Sequence, residues 1–185
     1  MKIERTPIEG LLILTPRCFE DARGRFAETW RAELFNAAVG REVHFVQDNE
    51  SRSCAGVLRG LHFQVSPFAQ GKLVRVSSGS ALDVAVDLRE GSSTFGQHHV
   101  IRLDASAGQQ YWIPAGFAHG FLALEDDTIF SYKCTARYDA ASERSLRWDD
   151  TDLAIDWQLS TLDGPPRVSD KDAASPAFST FNPTS

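Results

Sequence analysis

The chain has 185 residues, 42% of them hydrophobic and 10% aromatic, which suits one packed domain and excludes a disordered chain. A formal net charge of −6 supplies no basic field for nucleic acid, although Arg23, Arg59, Lys72 and Lys171 are candidates for a local anion-binding patch. Three scattered cysteines without a CxxC pair, and no apolar run of membrane length, predict a cytoplasmic protein with reduced thiols and no membrane partner.

In chain order, short period-two segments dominate. Leu11–Thr15 and Phe26–Thr29 read as strands, followed by one helix from Arg31 to Val39 with Ala32, Phe35 and Val39 at helical spacing. Strand-like segments resume at Val43–Gln47, Val57–Phe63 and Lys72–Ser77, and a turn is expected over Ser77–Ser80. Leu82 to Leu88 alternates cleanly, with Leu82, Val84, Val86 and Leu88 on one face and Asp83, Ala85 and Asp87 on the other. After a second turn over Glu90–Ser93 come Val100–Leu103, Gln110–Ile113 and Thr128–Cys134. Many strands without intervening helices predict an all-β sandwich or barrel. No repeat or internal linker divides the chain, so residues 1–185 read as a single domain. Ala173 to Ser185 is small and polar and predicts a loosely held C-terminal tail, unless Phe178 and Phe181 pack on a neighbouring subunit.

Two segments break the strand pattern in an informative way. Gly56-Val57-Leu58-Arg59-Gly60-Leu61-His62-Phe63-Gln64 places an arginine and a histidine in an apolar run, and His119 sits in a second such run, Ile113 to Phe121. Charged and titratable groups are costly to bury without a partner or a role, so a polar pocket lined by strands is expected. In a regular strand Arg59 and His62 would point to opposite faces. If both line one cavity, Gly60 marks a bulge or bend that resets the alternation.

Seven segments together identify a family. They are Phe19 to Phe26 with Glu28, Gln47-Asp48-Asn49, Arg59 to Gln64, Gln70 to Arg75, Asp83 to Arg89, Gly116 to Phe121 and Ser169-Asp170-Lys171-Asp172. From about Leu11 to Pro176 the chain resembles the dTDP-4-dehydrorhamnose 3,5-epimerases, sugar-nucleotide isomerases of the cupin-like jelly-roll superfamily. The resemblance implies an antiparallel jelly roll with a few short helices and a role in dTDP-L-rhamnose biosynthesis. It also implies a homodimer with strand exchange. The implied conversion is of dTDP-4-dehydro-6-deoxy-D-glucose to dTDP-4-dehydro-L-rhamnose. Because C3 and C5 both flank the C4 ketone, each inversion proceeds by proton removal to an enolate and reprotonation from the other face, and no redox cofactor is needed.

By the same resemblance His62 is the base, Asp172 orients it, Tyr132 is the acid, and Lys72 holds the enolate charge. Arg59 is the candidate phosphate ligand. The resemblance carries Arg23, Glu28, Gln47, Asp48, Asn49, His119, Glu143 and Lys171 over to substrate binding, with Tyr138 stacking on thymine. The stretch from Gln158 to Val168 is longer than the family pattern, so Asp170 remains an alternative to Asp172, and Arg167 an alternative to Lys171. Taken alone, His62 and His119 also read as packed structural histidines, Tyr132 as a core aromatic, and Arg23 with Glu28 as a surface ion pair.

Three rival functions compete with this reading. A metal-dependent cupin needs an HxH pair, but Gln64 stands two beyond His62, and the neighbouring His98 and His99 point apart on a strand; no metal is expected. A non-catalytic sugar-nucleotide-binding jelly roll does not require His62, Asp172, Lys72 and Tyr132 together. An epimerase acting at one carbon alone stays open, because the same base and acid serve both centres.

Overall fold

The computed structural model describes residues 1–181. The strands run in chain order as β1 (Lys2–Arg5), β2 (Leu12–Thr15), β3 (Cys18–Asp21) and β4 (Gly24–Ala27), then β5 (Gln47–Ser53) after the helix α1 (Ala32–Val39). They continue with β6 (Leu58–Gln64), β7 (Lys72–Ser78), β8 (Ser80–Asp87), β9 (His98–Asp104) and β10 (Gln110–Ile113). β11 (Phe117–Ala123), β12 (Thr128–Cys134), β13 (Glu143–Ser145) and the one-turn helix α2 (Asp170–Ala173) follow. One sheet has the order β1-β2-β10-β7-β12-β5 and the other β13-β6-β11-β8-β9, while β3 and β4 form a separate hairpin. Every pairing within these sheets is antiparallel, giving the cupin-like jelly roll that the sequence led us to expect.

Apolar side chains fill three layers. Between the sheets, Val74, Val76 and Phe130 meet Ala85, Leu103 and Phe121. Outside the five-stranded sheet, Leu82, Val84, Val86 and Leu122 pack under Leu153 and Trp157. Outside the six-stranded sheet, Phe35 of α1 packs on Leu12, Leu14, Leu73 and Trp112. Each fully buried Val, Leu or Phe among them contributes about 1.5–3 kcal/mol by leaving water, so the outer covers add to the stability that the interior supplies. All eight residues of β8 are buried because both its faces are covered. Its large apolar residues face the outer cover, which leaves Asp83, Ala85 and Asp87 on the inner face.

Several sequence expectations are corrected. Val43 to Val46 is not strand, because Val43 and Phe45 join the apolar cluster around α1; the strand begins only at Gln47. The strand expected at Phe26–Thr29 lies earlier, as Gly24–Ala27. The first residues of the expected loose tail are held in place. Ser175 is buried and donates to Ser145 Oγ at 2.9 Å, the Phe178 amide donates to Asp150 Oδ2 at 2.8 Å, and Phe181 meets Phe63 with ring centroids 5.6 Å apart. Phe178 and Phe181 thus pack on this chain's own outer cluster. Residues 182–185 of that tail lie outside the described residues. No helix among the described residues is long and apolar enough to cross a membrane.

Gly60 resets the strand alternation, as Arg59 and His62 require. Along β11, His119 pairs with His62 but Phe121 pairs with Arg59, so β6 carries one extra residue between the two pairs. Gly60 has φ of +131°, and a Cβ there would lie 2.5 Å from Gly120 Cα and 2.9 Å from the His119 carbonyl oxygen. Only glycine fits this approach.

Candidate active site

The open edges of the two sheets leave a cleft between β5 and β12 on one wall and β6 and β13 on the other. A lobe of about 480 Å³ is lined by Arg59, His62, Lys72, His119, Tyr132 and Asp172, among others. A second lobe of about 310 Å³ runs past Gln47, Asn49, Tyr138 and Glu143. His62, Lys72 and Tyr132 line both lobes, so the two are one cleft with these three at its centre.

His62 comes from β6 of the five-stranded sheet and Tyr132 from β12 of the six-stranded sheet. Asp172 reaches His62 from α2, where Ser169 caps the helix and accepts from the Asp172 amide at 3.1 Å. The Asp172 Oδ1 to His62 Nε2 distance is 2.6 Å, and Oδ2 accepts from the Gly60 amide at 3.3 Å. Asp172, rather than Asp170, faces the ring. Burial works to raise its carboxyl pKa, but the His62 hydrogen bond, helped by Gly60 and Ser169, holds it below the ordinary aspartate value. With Nε2 occupied, Nδ1 is the His62 nitrogen left for a substrate.

Lys72 extends from β7 between these walls, and its one hydrogen bond among the described residues, to the His62 carbonyl oxygen, is 3.4 Å long. Burial lowers its ammonium pKa against the pull of Cys134, Asp83 and Glu143. Burial likewise raises the Tyr132 phenol, which stays protonated around neutrality. His119 Nε2 lies 2.9 Å from Asp83 Oδ2.

The substrate-binding candidates divide into two groups. Gln47, Asn49, Tyr138, Glu143 and Lys171 cluster at one end: the Tyr138 amide and hydroxyl donate to Gln47 at 2.8 Å and Glu143 at 3.0 Å, and Lys171 donates to Glu143 at 2.5 Å. Arg59 stands at the opposite end beside Ser53, to which its Nε donates at 3.3 Å, and Arg167 joins it on the lining. Asp48 stands apart from these two groups: strand alternation turns it to the outer face of β5, where it pairs with Lys133 at 3.0 Å. Arg23 and Glu28 also lie away from the cleft of their own chain. Arg23 pairs with Asp21 at 2.6 Å on the exposed β3–β4 hairpin, and Glu28 pairs with Arg31 at 2.8 Å.

Sequence reasoning missed Gln64 and Ser51. Gln64 donates to the Phe68 and Arg137 carbonyls at 2.6 and 3.1 Å and accepts from the Asp139 amide at 2.8 Å, so it anchors the Tyr138 loop. A glutamine two residues beyond His62, on the same strand, was the available signal. Ser51 sits in a polar strand that gave none; on the cleft wall its buried hydroxyl has no hydrogen-bond partner among the described residues.

A family model for dTDP-4-dehydrorhamnose 3,5-epimerase matches residues 5–180. The chain belongs to the dTDP-4-dehydrorhamnose 3,5-epimerase family. It is an isomerase of the epimerase class. A dTDP-4-dehydrorhamnose 3,5-epimerase of Pseudomonas aeruginosa is 49% identical over 178 residues, covering 96% of each chain. The structure of the Legionella pneumophila dTDP-6-deoxy-D-glucose-3,5-epimerase in complex with dTDP-4-keto-L-rhamnose superposes with a TM-score of 0.92 at 45% identity, covering 98% of this chain and 94% of that one. A 3'-monoepimerase from Streptomyces bikiniensis in complex with dTDP-quinovose shares the fold at 36% identity and a TM-score of 0.88, covering 95% and 87%.

Proposed function

We propose that this member of the epimerase family inverts both C3 and C5 of dTDP-4-dehydro-6-deoxy-D-glucose, giving dTDP-4-dehydro-L-rhamnose for rhamnose biosynthesis. The observation that carries this reading is the placement of His62, backed by Asp172 at 2.6 Å, and Tyr132 on strands of facing sheets around one cleft. His62 Nδ1 takes the proton from the carbon beside the ketone, and Asp172 stabilises the resulting imidazolium. Lys72, a donor with one long hydrogen bond, receives the charge that develops on the C4 oxygen. Tyr132 returns a proton from the other wall, and the centre inverts. Before the second flanking carbon reacts, His62 releases its proton to solvent and Tyr132 takes one back, so the same groups act again and no electrons are gained or lost overall.

Arg59 is proposed to bind diphosphate and the Tyr138–Glu143–Lys171 cluster to hold the nucleoside end. A homodimer is proposed in which Arg23 and Glu28, paired with Asp21 and Arg31 away from this chain's own cleft, serve the cleft of a second copy. Exposed Phe19 and Phe26 on the same hairpin, 51% and 70% accessible, supply the apolar surface for it. A single domain is proposed for the chain, and a cytoplasmic setting fits the free thiols Cys18, Cys54 and Cys134.

Epimerisation at one carbon is the second reading, since a monoepimerase shares the fold; the higher identity to 3,5-epimerases favours two. Incubating the purified protein with the 4-keto substrate and determining the product configuration by NMR tests the proposal. A product inverted at both carbons supports it, inversion at one carbon supports the second reading, and unchanged substrate contradicts both.

A further inference from the structure

Asp83 has no place in the mechanism above, yet it lies directly beneath the cleft with its side chain completely buried. Asp83 pairs in register with Phe121, and His119 with Ala85, so the two are diagonal neighbours on the inner faces of β8 and β11. Their contact is Oδ2 to Nε2 at 2.9 Å, while Asp83 Oδ1 is buried without a hydrogen-bond partner among the described residues. His119 Nδ1 makes no protein hydrogen bond among them either. The His119 ring lines the cleft with 7% of its side chain exposed, and Nδ1 is the ring nitrogen that Asp83 leaves free to meet a ligand there.

A carboxylate only accepts hydrogen bonds, so the ring proton belongs on Nε2 and a bare lone pair faces the cleft. Burial, together with the charges of Lys72 and His62, opposes a second proton on the ring, and the pull of Asp83 does not overcome it. We propose, building on the epimerase reading, that Asp83 is a positioning residue that fixes His119 as the Nε2–H tautomer, so that Nδ1 accepts a hydrogen bond from a sugar hydroxyl. The sugar then meets two complementary groups. Lys72 can only donate and suits the C4 oxygen, which can only accept. His119 Nδ1 can only accept and suits a hydroxyl, the one donor class on the sugar ring. The opposite tautomer would present a second donor and leave the hydroxyl without an acceptor.

A purely structural pair makes a different prediction, and the test separates them. In wild-type protein carrying nitrogen-15 histidine, His119 is expected to show a protonated Nε2 and an unprotonated Nδ1 around neutrality. A proton on Nδ1, or on both nitrogens, overturns the proposal without any variant. In Asp83→Asn the Nε2–H signature is expected to be lost or mixed, with turnover reduced on the order of 10- to 100-fold and dTDP affinity unchanged. The double variant Asp83→Asn/His119→Ala should lose no more activity than His119→Ala alone. Independent, multiplying losses would show that Asp83 acts other than through His119. A wild-type chain inactive on the keto sugar would overturn the epimerase reading and the hydroxyl contact together, while the nitrogen spectra would still decide the Asp83–His119 arrangement.

Discussion

His62 and Asp172 lie 110 residues apart in the sequence and 2.6 Å apart in space, joined through a strand of the five-stranded sheet and a one-turn helix near the C-terminus. The carboxylate is nearly inaccessible while the ring keeps contact with the cleft. That asymmetry suits a base whose proton-holding side is fixed and whose working side is open.

Asp172→Asn is expected to lower turnover by about 100-fold or more while dTDP binding survives. The new amide can donate to Nε2, which drives the ring proton onto Nδ1 and blocks the nitrogen that takes the substrate proton. Steady-state kinetics beside calorimetric dTDP titration checks this. Turnover within a few-fold of wild type would remove Asp172 from the catalytic pair.

The ammonium of Lys72 is needed charged, and burial holds its pKa below the ordinary 10.5. Cys134, Tyr132, Asp83, Glu143, His62 and His119 surround it, and burial moves the Tyr132 phenol and the Cys134 thiol the other way. The alkaline limb of the pH–rate profile should therefore fall below pH 10.5 and belong to Lys72. Lys72→Met should cost about 100-fold or more in kcat/KM and abolish that limb. An unchanged limb in the variant would assign it to another group.

Gly60→Ala should destabilise the fold by about 3 kcal/mol or more. The added methyl would meet Gly120 Cα at 2.5 Å in a backbone conformation that alanine rarely adopts. Urea unfolding measures the loss, and a change under about 1 kcal/mol would mean that the β6–β11 approach relaxes freely.

Much of this arrangement was legible in the sequence. Period-two patterning located β2, β7, β8, β10 and β12, and the paired Arg59 and His62 forced the question that Gly60 answers. β5 was not legible. Its residues, Gln47 to Ser53, are polar on both faces because the inner face lines the cleft rather than the core, so no apolar alternation marks it. The packing of the tail's first residues, as far as Phe181, was hidden for the opposite reason: Phe178 and Phe181 are too sparse to form a pattern, yet they complete an apolar surface built elsewhere in the chain. The diagonal contact of Asp83 with His119 depends on strand neighbours that only the folded sheet defines.

Asp87 anchors the turn after β8, accepting from Arg89 at 2.7 Å, Ser92 at 2.7 Å and Thr94 at 2.6 Å. Burial acts to raise its pKa, but these donors hold it well below the ordinary aspartate value of 3.8. A depressed carboxyl contributes stability that is fully present above its unfolded value and is lost as pH falls toward its folded one. Asp87→Asn should cost on the order of 3 kcal/mol near neutrality, and the gap from wild type should shrink as pH drops below 3.8. Chemical denaturation across that range checks it; a gap that stays constant contradicts the linkage.

Hydrogen exchange at the sugar tests the central claim most directly. The purified chain is incubated with dTDP-4-dehydro-6-deoxy-D-glucose in deuterium oxide, and the label is located by NMR. Two facing walls bearing one base and one acid predict deuterium at both C3 and C5, with uptake at both abolished in His62→Ala. Label at neither carbon, or uptake that persists in His62→Ala, would contradict the account.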